Sequence, residues 1–220
     1  MVSFPTIVTL ALSASIAFAL PRRSTTCNIP KTKPSLPSNE TSICIPDGQS
    51  VHTVALGVGY QNYTCSSAGT YSSIGAVAEL VDITHLSKLG ECSDITATTY
   101  DAWNSTSTTP EEFVKHLRRY PVLAQHYFIK NPSGSGLSPF FDARSVTGNP
   151  DKYAMVSKSG DVPAPSGSQD VDWLQLTAVQ GELAKTIMRL ETKYGQPQPS
   201  CVPGSEDISV KYTAQYYFLD

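Results

Sequence analysis

The stretch "VALGVGYQNYTC", residues 54–65, decides between two folds. Gly57-Val58-Gly59 follows an apolar run and resembles the opening of a dinucleotide-binding turn. That fingerprint needs a third glycine three residues after Gly59, where this chain has Asn62. It also needs a helix whose N-terminus meets the pyrophosphate. The residues that follow, "YQNYTCSSAGTYSS", carry no helical periodicity, and Tyr63 and Thr64 favour strands. Val54, Leu56, Val58 and Tyr60 alternate instead with Ala55, Gly57, Gly59 and Gln61, a period of two that reads as a strand. The glycines then share one face, where a neighbouring backbone approaches closely.

The same alternation recurs to the end of the chain. Ile208, Val210, Tyr212, Ala214, Tyr216 and Phe218 interleave with Ser209, Lys211, Thr213 and Gln215, predicting a long half-buried strand. Residues 73–83, "SIGAVAELVDI", are nearly continuous and apolar, as in a strand covered on both faces. Shorter strands are predicted at 122–130, 152–158 and 171–176, and "SGSGLSP" (133–139) reads as a glycine-serine turn. Residues 182–192 fit a helix or a strand by pattern alone. One helix is well marked: Thr109-Pro110-Glu111-Glu112 forms a capping box with proline in the first turn, Phe113, Leu117 and Tyr120 share a face, and Pro121 ends it. A shorter turn runs from Thr84 to Leu89 and stops at Gly90. The sum is an all-β protein, an antiparallel β-sandwich or flattened barrel with one or two short helical insertions.

The beginning of the chain points to a compartment. Ile7 to Phe18 has the length of a signal-peptide core, and Ala17-Phe18-Ala19 supplies small residues for cleavage before Leu20. Residues 1–19 are therefore expected to be a signal peptide, and Arg22-Arg23 reads as a dibasic processing site or as two solvated arginines. The run is too short for a membrane span. Residues 20–50 form a Pro/Ser/Thr-rich N-terminal arm, and 51–220 are expected to form a single β domain. Sequons at Asn39, Asn62 and Asn104 agree with secretion.

Charged residues make up 16% of the chain and the formal net charge is −3. With no basic run, nucleic acid and a polybasic membrane anchor are not expected partners. The five cysteines, Cys27, Cys44, Cys65, Cys92 and Cys201, contain no CxxC pair, which argues against zinc. In an oxidising compartment they read as two disulfides and one thiol. Sequence alone leaves the pairing open. Sheet topology favours Cys65–Cys201 with Cys27–Cys44 stapling the arm and Cys92 free, and Cys65–Cys92 is the main rival.

The segment "SGDVPAPSGSQDVDWLQL", with "GELAKTIMRLETKYGQPQPSC" and "ISVKYTAQYYF" after it, resembles a family of secreted proteins of filamentous fungi with bacterial relatives, a domain of unknown function. "ALGVGYQNYTC" and "GAVAELVDI" are similar to its N-terminal half. The resemblance covers roughly residues 50–219 and implies an all-β fold, with a strand at 182–192. Fungal members often carry the label "malate dehydrogenase". The family has no established catalytic residues, so the resemblance assigns none. The residues themselves argue against that label: the glycine fingerprint is broken, the alternating helices of a cofactor fold are missing, and no cofactor is expected.

Candidate chemistry is sparse. His126, in "AQHYF", is a candidate general base with Asp142 as partner, or a hydrogen-bonded histidine at a sheet face. Asp161, Asp170 and Asp172 bracket "VPAPSGSQ" and are candidates for an acid/base pair or a calcium loop, or ordinary turn residues. Trp173 is expected in the core and Trp103 exposed. No HExxH, His-x-His or G-x-S-x-G pattern occurs. The expectation is a non-catalytic extracellular glycoprotein that binds a polysaccharide or a protein. The alternative is a secreted hydrolase or other glycan-active enzyme built on His126 or the Asp161/Asp170/Asp172 loop. In an enzyme, His126 and one of these aspartates would converge on a pocket.

Overall fold

A computed structural model describes residues 33–38 and 40–220. The expected signal peptide, Arg22-Arg23, Cys27 and Asn39 lie outside the described residues. The eight strands are β1 (Val51–Cys65), β2 (Tyr71–Asp82), β3 (Val122–Lys130), β4 (Leu137–Asp142), β5 (Tyr153–Val162), β6 (Trp173–Gln180), β7 (Thr186–Tyr194) and β8 (Ile208–Leu219). Between β2 and β3 lie α1 (Thr84–Leu89), α2 (Ile95–Asn104) and α3 (Pro110–His116), and α4 (Arg144–Thr147) follows β4. Among the described residues no helix is long and apolar enough to cross a membrane.

The strands follow chain order around a closed antiparallel barrel. Of the two all-β forms expected, the barrel is the one adopted. Closure happens at β1, where Gly57 pairs with Leu80 of β2 on one side and with Ala214 of β8 on the other. Each strand thus has two neighbours and no hydrogen-bonding edge is left open.

The glycines of β1 are explained by packing. A Cβ on Gly57 would stand 2.5 Å from Cε2 of Tyr216, and a Cβ on Gly59 would collide with the Val77 carbonyl oxygen and the Ala78 backbone. The strand runs through both glycines without interruption to Cys65, and no helix opens at that point. The lumen is filled by side chains, including Leu80, Phe141, Ile187, Tyr216 and Phe218.

Three expectations are corrected here. First, α2 lies where no helix was expected, because "ITATTYDAWN" is rich in β-branched residues with weak helix preference. It forms through tertiary contact. Thr213 donates to the carbonyl of Thr96 at 2.8 Å, and Lys211 donates to the carbonyls of Trp103 (3.0 Å) and Thr106 (2.7 Å). A cation there also suits the negative end of the helix. Second, Trp103 is fully buried, between Tyr60 at 5.2 Å, Phe113 at 6.2 Å and the Lys211 ammonium at 4.7 Å. These helices cover the outside of β1 and β8, so β8 is buried on both faces from Tyr212 to Leu219 rather than half-buried. Third, β4 begins at Leu137 inside the expected 133–139 turn, and β2 is not covered on both faces, with Val77 41% exposed.

Other expectations hold. Trp173 is buried, 182–192 contributes a strand, and α3 carries the full Thr109/Glu112 capping box. Among the described residues the N-terminal arm has no regular structure but is not idle. Ile43 is fully buried with Trp173, Met188 and Leu190, and the Cys44 amide donates to Oε1 of Gln175 at 2.8 Å. Helices thus cover β1 and β8 and the arm packs on β6, β7 and Gly160 of β5, while much of the remaining outer surface of β2–β5 stays open.

Candidate functional site

Strand alternation sends His126 and Asp142 to opposite faces. His126 pairs with Phe141 and points into the barrel, whereas Asp142 pairs with Gln125 and points out. His126 is 5% exposed, stacks on Phe141 at 4.3 Å and donates through Nδ1 to the Phe140 carbonyl at 3.1 Å. Burial pushes its pKa down to about 4, with the Arg189 guanidinium adding to the shift, so the ring is neutral near pH 7. Arg189 is buried as well, and donates from Nε and Nη2 to the carbonyl of Asp172 at 3.3 and 2.9 Å. Tyr212 and Tyr216 share a hydroxyl–hydroxyl bond of 2.8 Å deeper in the lumen.

The aspartates of the 161–172 segment take three separate structural tasks. Asp161 pairs with Lys158 at 2.8 Å on the surface. Asp170 is 1% exposed and accepts from the Tyr194 amide at 2.6 Å and from the Ser166 hydroxyl. It holds the loop against the end of β7, where Tyr194 takes a positive φ of 57°. Asp172 contributes its carbonyl to Arg189. The structure brings none of the three to His126 and does not bring His126 to Asp142. Among the described residues no three His, Cys, Asp or Glu side chains are placed to hold a metal ion.

What the barrel does assemble is a polar row across four strands of its open face. Glu79 pairs with Gln125, Gln125 with Asp142, and Asp142 with Tyr153. Gln125 Nε2 donates to Glu79 Oε1 at 2.8 Å. Arg144 grips Asp142 with Nε at 2.9 Å and Nη2 at 2.7 Å, and the Tyr127 hydroxyl donates to the same carboxylate at 2.8 Å. The Arg144 hydrogen bonds hold the Asp142 carboxyl down at about 2. Glu79 moves the other way: partial burial raises its pKa, and nearby Glu111 adds to the rise.

Beside this row runs an aromatic one. Tyr127 meets Phe140 at 5.4 Å, and Phe140 stacks on Tyr153 at 5.1 Å. The Arg144 guanidinium covers both Phe140 and Tyr153 at 5.3 Å, which leaves Tyr127 as the ring facing the next feature. That feature is a groove of about 330 Å³ between β2, β3 and the start of α3. Its lining includes Val77, Glu79, Pro110, Glu111, Gln125 and Tyr127, and it also borders His126, but none of the candidate aspartates lines it. Sequence reasoning missed Glu79, Gln125 and Tyr127. The one signal was a carboxylate in the apolar run "GAVAELVDI", which marks a face that is not buried.

Residues 46–220 match the family described as "Protein of unknown function (DUF3455)", and the chain belongs to that family. No curated protein matches the chain, and neither does any solved structure.

Proposed function

We propose that the protein is a secreted extracellular glycoprotein that binds an extracellular polymer or protein without chemically altering it, using the open face of β2–β5. The observation that carries this reading is the Glu79–Gln125–Asp142–Tyr153 row, left open at its Glu79–Gln125 end and adjoining the groove, set beside a His126 that meets no carboxylate. A hydrolase on the residues first considered would need His126 or the Asp161/Asp170/Asp172 loop to present a free acid and base. His126 is buried on the Phe140 carbonyl, Asp161 pairs with Lys158 and Asp170 is buried on the Tyr194 amide, and none of the three aspartates stands beside His126 to complete an acid–base pair.

Secretion is supported by the apolar run 7–18 and by the Cys65–Cys201 disulfide. The two sequons among the described residues are sterically compatible with glycans. Asn104 is exposed, and Asn62 is half-exposed with its Oδ1 accepting from Ser209 at 2.8 Å. The dehydrogenase label of resembling fungal proteins is not adopted, since β1 continues through Gly59 and no helix N-terminus follows for a pyrophosphate.

The test is expression of the full chain in a secreting eukaryotic host. The expected result is medium-borne protein cleaved before Leu20, glycan at Asn62 and Asn104, and saturable binding to an extracellular polymer or protein, with no turnover on a glycoside, ester and peptide hydrolase panel or with NAD and oxaloacetate. Turnover that follows protein purity would overturn the binding reading. Retention in the cell would overturn the secretion reading.

A further inference from the structure

We propose that the groove between β2, β3 and the start of α3 holds a neutral, hydroxyl-rich sugar unit of a polysaccharide chain, with the Glu79–Gln125 pair reading adjacent hydroxyls and Tyr127 with Val77 supporting an apolar sugar face. This rests on the binding reading above and adds the ligand chemistry and the residues that recognise it.

The argument starts from hydrogen-bond inventory. The Gln125–Glu79 bond at 2.8 Å fixes the two planar groups edge to edge and uses one donor and one acceptor. What remains is the second Glu79 oxygen, the Gln125 carbonyl oxygen and one Gln125 N–H. That edge offers acceptors and a donor side by side. A hydroxyl both donates and accepts, so two neighbouring hydroxyls satisfy the edge completely. An ammonium only donates and would leave the Gln125 N–H without an acceptor. A carboxylate or phosphate only accepts, and it would face Glu79 and Glu111 across the groove. Of the cations on this face, Arg144 is already committed to Asp142. Lys115 is paired with Glu111 at 2.8 Å.

The apolar part of the groove fits the same ligand. Val77 is 41% exposed on a strand whose neighbours are packed, and Pro110 forms the facing wall. Tyr127 is held by its hydroxyl on Asp142, so its ring needs no ordering when a ligand arrives. Sugar rings present C–H groups on one face and hydroxyls at the edge. A groove with an aromatic and aliphatic floor and a mixed donor–acceptor rim complements both. Glu79 is half-buried with no cation in hydrogen-bond contact, and hydroxyl donors would supply the solvation that its carboxylate lacks.

The test uses the secreted, glycosylated chain on arrays of neutral polysaccharides, polyuronates and amine-bearing polysaccharides, followed by titration of the best ligand. Thermal unfolding confirms that each variant is folded. Wild type should bind neutral chains. Glu79→Gln and Tyr127→Ala should weaken binding at least tenfold, Tyr127→Phe, which keeps the ring but loses its tether to Asp142, should weaken it less than Tyr127→Ala, and Val179→Ala, remote from the groove, should bind like wild type. Neutral-glycan binding unchanged in both Glu79→Gln and Tyr127→Ala would overturn the site but leave the binding reading standing. Binding confined to amine-bearing or anionic chains, or to a secreted protein, would overturn the ligand chemistry alone. Cleavage of the bound chain would overturn the non-catalytic reading instead.

Discussion

Cys65 and Cys201, 136 residues apart in sequence, form a disulfide with Cα atoms 5.9 Å apart. The bond joins the end of β1 to the loop before β8, and the Cys201 amide adds a hydrogen bond to the Gly69 carbonyl at 2.9 Å. The pairing is the one that sheet topology favoured, and the rival Cys65–Cys92 is excluded, Cys92 being a buried thiol. Closing so long a loop restricts the unfolded chain by about 5 kcal/mol in the entropic treatment, an upper figure. Replacing both cysteines by serine should therefore lower the denaturant midpoint markedly without changing the far-ultraviolet spectrum. An unchanged midpoint would mean that the unfolded chain keeps these ends together without the bond.

The β1 glycines should be intolerant of a single methyl group. Gly57→Ala presses on the Tyr216 ring, and overpacking of that kind costs about 1–3 kcal/mol. Gly59→Ala should cost more, because the obstacle is the β2 backbone at Val77 and Ala78, which cannot turn aside. Chemical denaturation of both variants checks the order.

His126 makes the barrel sensitive to acid. Its pKa is about 4 when folded, against an ordinary 6.5 in the unfolded chain. Below pH 6.5 the unfolded chain takes up a proton that the folded one refuses, so stability falls from there down to about pH 4 and is unaffected above. The loss is of order 3 kcal/mol. His126→Phe should flatten that part of the stability–pH curve relative to wild type.

Arg144 controls Asp142. In Arg144→Ala the Asp142 carboxyl should titrate well above its present value of about 2, moving toward the ordinary range. Carbon-detected NMR of the carboxyl group reads this directly. The Tyr127 hydroxyl bond should persist, since it does not depend on the guanidinium.

Much of this molecule is legible along the chain. Alternation at 54–61 and 208–218 marked two of the barrel's strands, and the missing third glycine set the nucleotide reading aside. Thr109 and Glu112 announced α3, because a cap is a contact between residues three apart. The helix α2 and the burial of Trp103 were not legible. Both depend on Lys211 and Thr213, over 100 residues away, which supply hydrogen bonds that the helical sequence lacks. The open face was hidden for a related reason, since period two says that alternate residues share a face but not what covers it.

The sequence by itself determined an all-β fold with strands at the two ends of the 51–220 region, because side-chain alternation is a local consequence of strand geometry. It also determined that no dinucleotide turn opens at Gly57. Only the tertiary structure decided that β1 and β8 close a barrel, that His126 faces inward while Asp142 faces outward, and that Glu79, Gln125, Asp142 and Tyr153 stand in one row. Those are matters of register, and a shift of one residue between two strands would exchange the faces. Register is chosen by burial summed over the whole barrel, so it is set by residues far apart in the chain and leaves no mark in any single stretch of it.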